Sequence, residues 1–119
     1  MITNDQVDAI IAERYRLSKI FGDEWDYSIQ LCWAQLTELF TINIQDTIDF
    51  LDNTCTADEF GWISDVFDYV AEETQSQEFV DALYRTAKKY PEETEENNIM
   101  FFIDDAQSKI RKNREKHEG

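Results

Sequence analysis

Between Ile20 and Tyr84 this 119-residue chain has no lysine, arginine or histidine, although 15 aspartates and glutamates fall there. Outside that window 11 acids meet 11 bases, so the whole formal charge of −15 belongs to the middle of the chain. Phosphates would be repelled by such a segment, which argues against nucleic-acid binding. Glycine and proline are almost as scarce, at 3 and 1. An all-β fold needs far more of these turn residues, so helix is the expectation. Gly22, Gly61 and Gly119 stand alone and cannot form a phosphate-cradling loop.

The scarcity of histidine and cysteine narrows the chemistry further. His117 is the single histidine and lies near the C-terminal end, where a solvated side chain is expected. It offers no positioned base for a Cys-His nucleophile pair, and no Glu-x-x-His pairs for a carboxylate-bridged metal centre. Cys32 and Cys55 lack metal-ligand spacing and read as small buried thiols of a reducing compartment. No segment alternates acidic ligands around a glycine turn, as a calcium loop requires. No apolar stretch approaches membrane-spanning length, and MITNDQVDAI lacks a basic region followed by an apolar run. The expectation is a cytoplasmic protein that is not an enzyme, with no catalytic residue, cofactor or metal.

What the chain does contain is apolar material, 42% of residues, with 8 Phe, 5 Tyr and 3 Trp. That suffices for one real core, hence a single domain over 1–119, with 113–119 expected to fray. Thr3-Asn4-Asp5-Gln6 has capping-box spacing; Val7, Ile10, Ile11 and Tyr15 follow at helical intervals, and Gly22 is a stop. A second helix is expected over 24–40, with Ile29, Cys32, Trp33, Leu36 and Phe40 inward. A third covers 44–53, with Ile44, Ile48 and Leu51 as its stripe. Thr56-Ala57-Asp58-Glu59 is another capping box, opening a helix to 74 whose stripe is Phe60, Ile63, Phe67 and Val70. Ser76 caps a helix through Tyr90, with Pro91 beyond its end. Residues 91–96 read as a loop or a first helical turn, and Ile99, Phe102, Ile103, Ala106 and Ile110 mark a last helix. The predicted architecture is an all-α compact bundle of about six helices, with a short superhelical stack of helix pairs as the variant.

The excess acid has a pattern of its own. Asp46, Asp49 and Asp52 recur at spacing three, as do Asp65, Asp68 and Glu72 at three and four, so each trio shares one helix face. Both faces lie opposite the apolar stripes, where carboxylates should be exposed and unperturbed. If the two helices pack antiparallel, the stripes join into one surface, bordered by Trp62, Tyr69 and Glu73. Carboxylates beside aromatic anchors suit a basic protein partner. The alternative for Trp62 and Tyr69 is that both merely widen the core stripe. The candidate binding residues are therefore Asp46, Asp49, Asp52, Trp62, Asp65, Asp68, Tyr69 and Glu72.

One further pattern concerns residues 55–94, CTADEFGWISDVFDYVAEETQSQEFVDALYRTAKKYPEET. Its C-T-x-x-E-F-x-W-I-S helix start, T-Q-S-x-E-F junction and A-x-K-Y-P-E-E stop resemble the central helical segment of immunity proteins. The family is that of bacterial contact-dependent growth inhibition and related polymorphic toxin systems. The match spans about 40 of the 119 residues and rests on caps and core positions, so it implies kinship of fold more than identity of partner. The resemblance implies a protein that binds a cognate basic toxin domain, such as a tRNA-cleaving nuclease, and blocks it by stoichiometric occlusion. A monomer is the expected state. The competing reading is an acidic helical adaptor or regulatory module for some other basic protein.

Overall fold

The structure, a computed structural model, describes residues 1–22 and 27–111. The expected start of the second helix near Glu24, the fraying tail 113–119 and His117 lie outside the described residues. Among the described residues eight α-helices follow one another: α1 (Asn4–Phe21), α2 (Tyr27–Thr41), α3 (Ile44–Asn53), α4 (Ala57–Ile63), α5 (Phe67–Thr74), α6 (Gln77–Lys89), α7 (Pro91–Glu96) and α8 (Ile99–Ser108). There is no strand among the described residues, and the all-α bundle expected from the periodicity is what forms.

Local chemistry sets most of the helix ends. The Thr3 hydroxyl accepts from the Gln6 amide while the Gln6 side chain accepts from the Thr3 amide, closing the expected capping box. Thr56 and Glu59 repeat the arrangement at the start of α4. Ser76 caps α6 by accepting from the Phe79 amide. Each such cap is worth about 1 kcal/mol, because it satisfies amide donors that the helix itself cannot. Gly22 ends α1 at φ 85°, a left-handed position that glycine takes without a Cβ penalty.

Two elements depart from the periodic reading. The single helix expected over 57–74 is interrupted by a 3₁₀ turn at Ser64–Val66. The Ser64 hydroxyl donates to the Gly61 carbonyl at 2.8 Å, and this local bond favours the tighter turn. Residues 91–96 form a helix of their own, with Pro91 in its first turn, where its missing N–H costs nothing.

The core is phenylalanine-rich. Phe60 meets Phe67 at 5.4 Å between centroids, and Phe67 meets Phe79 edge-on at 6.5 Å. Phe40, Phe50, Leu36, Leu83, Ile99 and Ile103 fill the space around them. Truncating one of these rings to alanine costs about 3–5 kcal/mol. α3 lies against α6 and α2, whereas α5 lies against α8 and α2. No helix of the described residues is long and apolar enough to cross a membrane.

Candidate functional site

The helix pairings differ from the antiparallel arrangement that would have joined the two acidic trios. Asp46, Asp49 and Asp52 ride on α3 beside α6, while Asp68 and Glu72 ride on α5 beside α8. Asp65 belongs to the 3₁₀ turn. α3 and α5 thus pack mainly on different helices, and the side-by-side antiparallel pairing that was to join the stripes is not among the main helix contacts.

Nor are the carboxylates uniformly free. Asp52 is gripped by Arg85, whose Nε and Nη2 donate to its two oxygens at 3.1 and 3.0 Å. Glu72 forms an ion pair with Arg111, and Asp46 is held at 3.1 Å by the Met1 amino group. Asp68 is half-buried, and burial pushes its carboxyl above the usual range. Asp65 shares a cleft of about 430 Å³ with Arg14, Trp62 and Asp58. The bases absent from residues 20–84 thus return to this region from α1, α6 and the segment after α8. Asp49, Glu38 and Glu73 take part in no ion pair among the described residues.

The two aromatic candidates divide. Trp62 is half-buried beneath α1: the Tyr15 ring meets it edge-on at 5.1 Å, and the Arg14 guanidinium stands 5.3 Å over its ring. It holds α1 to α4, as the core-widening alternative had it. Tyr69 is 49% exposed and has no such covering among the described residues.

Tyr69 stands on a ridge between two depressions. On one side lies a cleft of about 490 Å³ lined by Asp68, Glu72, Ser108, Lys109 and Arg111. On the other lies an open groove of about 640 Å³ between α2 and α5. Gln30, Trp33, Ala34, Thr37, Glu38 and Thr41 recur at three- and four-residue intervals along the α2 wall of that groove. Tyr69, Glu72 and Glu73 make the α5 wall. Trp33, read from the sequence as an inward residue, packs against the core and is half-buried, and it also lines the groove. Its Nε1 is the one buried side-chain nitrogen or oxygen without a hydrogen-bond partner among the described residues. The α2 stripe carries the signal in its spacing, but a stripe becomes a groove only when α5 is laid beside it.

A second carboxyl arrangement lies away from the groove. Glu59 is 3% exposed. Burial works to raise its carboxyl, but hydrogen bonding with Asp8, the Thr56 amide and Asn4 outweighs it and lowers it. Asp8 on α1 is raised to about 6, first by its hydrogen bond to Glu59 and then by burial and the neighbouring acids Asp5 and Asp58. Of the two, Asp8 takes up a proton first as pH falls, while Glu59 stays ionised longer as the capping acceptor. Cys55, also buried, has its thiol pushed up to about 12 by desolvation. Neither known protein families nor characterised proteins nor solved structures show a significant match to this chain.

Proposed function

We propose that this chain is an immunity protein: it binds a cognate basic toxin domain in the cytoplasm and neutralises it by stoichiometric occlusion. The observation that carries the reading is the groove between α2 and α5. An exposed tyrosine and a half-buried tryptophan stand there beside Glu38, Glu72 and Glu73, on helices that contain no Lys or Arg. Aromatic anchors supply binding energy in a desolvated centre, while surrounding carboxylates steer a cationic surface and speed encounter. A nuclease must carry a basic substrate groove, so an acidic helical surface is the natural shape and charge to cover it. The segment 55–94 that resembles the immunity family supplies α4 to α6 and hence the α5 wall of this groove.

Co-expression with a toxin domain encoded next to its gene tests the proposal. Growth should be restored, and the two chains should co-elute as a 1:1 complex that weakens as salt rises. A chain that leaves such a toxin fully active at equimolar expression is not its immunity protein. Stable capture of a different basic protein would then identify an adaptor.

A further inference from the structure

Resting on the reading of this chain as a binder of a basic protein, we propose that the α2–α5 groove receives one amphipathic helix of that partner. The helix would lay an apolar edge on Trp33, Ala34 and Tyr69 and set Lys or Arg residues against Glu38 and Glu73.

The groove's own geometry selects that occupant. Its α2 wall runs from Gln30 to Thr41, about 16 Å or three helical turns at 1.5 Å per residue. Both walls are helices whose backbone donors and acceptors are already used internally, so an extended strand would find no ladder to join. A helix needs only side-chain ridges to seat in, and two adjacent helices present a groove between theirs. The groove's lining is largely apolar, with Trp33, Ala34 and Tyr69 among its residues. Two carboxylates without an ion pair among the described residues stand on opposite walls, Glu38 on α2 and Glu73 on α5. A helix lying between them meets negative charge on both flanks, which favours a basic amphipathic helix and disfavours an acidic one. Glu72, already paired with Arg111, marks the end of the groove nearest the segment after α8 and shows the kind of cation these carboxylates accept.

The test uses a defined probe, a 14-residue Lys/Leu peptide with leucines at helical spacing, and a scrambled peptide of the same composition. Titrated against the isotope-labelled full chain, the amphipathic peptide should shift amide signals of residues 30–41 and 69–73 and saturate at 1:1. It should bind at least about tenfold tighter than the scrambled one. The exposed pair Glu38→Lys/Glu73→Lys should weaken binding at least about tenfold, whereas Asp81→Lys/Glu92→Lys, equal in charge but away from the groove, should change it less than about threefold. Ala34→Trp fills the groove without altering charge and should also abolish saturable binding. Equal affinity for the scrambled peptide, an unaffected Ala34→Trp variant, or shifts centred on 46–52 would each overturn the groove proposal. Failed protection against a toxin with groove binding intact would sink only the immunity reading. A neutralised toxin whose contacts map off the groove would sink only this one.

Discussion

The Tyr15 ring abuts the Trp62 indole edge-on, 5.1 Å between centroids and 77° between planes. This contact turns an aromatic residue that looked available to a partner into part of the seam between α1 and α4. Tyr69, seven residues later, has no equivalent cover among the described residues. Two aromatics on one expected helix thus differ in cover, because among the described residues α1 packs on only one of them.

That division can be measured. Trp62→Ala should lower stability by about 2–3 kcal/mol in urea unfolding, below the full range for a buried ring because the indole is only half-buried. Tyr69→Ala should stay within about 0.5 kcal/mol of the parent, as surface changes usually do, while weakening capture of a basic partner. If Tyr69→Ala unfolds the chain as readily as Trp62→Ala, Tyr69 is a structural residue and not an anchor.

The Asp8–Glu59 pair predicts a pH signature. Asp8 titrates near 6 in the folded chain against an ordinary 3.8, so the folded state holds this proton more tightly than the unfolded one. Its stabilising contribution is complete below about 3.8 and is lost as pH rises through about 6. Asp8→Asn, which keeps the hydrogen-bonding shape without the charge, should therefore gain stability relative to the parent as pH rises from 4 to 7. A difference between the two urea midpoints that is flat across that interval would contradict the raised Asp8 carboxyl.

The bases that return to the acidic window should matter unequally. Lys89 Nζ donates to the Leu51 and Asp52 carbonyls at 3.2 and 2.8 Å, satisfying orphan acceptors in the last turn of α3. Lys89→Ala should cost about 1–2 kcal/mol, since a charged donor is lost from carbonyls that the helix leaves unpaired. The Arg85–Asp52 pair is more exposed, and a double-mutant cycle should give a coupling of about 0.5–1 kcal/mol that shrinks in high salt. Equal costs at both sites would show that the α3 end is satisfied by solvent.

The helix inventory was legible wherever its cause is local. Thr3 with Gln6, Thr56 with Glu59, and Ser76 mark starts because a side chain three positions away satisfies an amide of its own first turn. Ile44–Asn53 is likewise readable from the spacing of its buried Ile48 and Leu51. The 3₁₀ turn at Ser64–Val66 escaped that reading because the apolar period continues through it, and a single Ser64 hydroxyl bond tips the backbone. The separate α7 escaped because PEETEE has no apolar stripe, and only Thr94 of it becomes buried.

Charge was legible as a quantity along the chain but not as a field in space. Composition and periodicity alone determined an all-α bundle, a phenylalanine core and a net-acidic middle, since each follows from near neighbours in sequence. Which carboxylates stay uncompensated was decided by tertiary packing. Arg85 reaches Asp52 across 33 residues, and Arg111 reaches Glu72 across 39. The groove itself exists only because α2 and α5 pack side by side. Interactions of that range depend on the path of the whole backbone, and no local spacing rule encodes them.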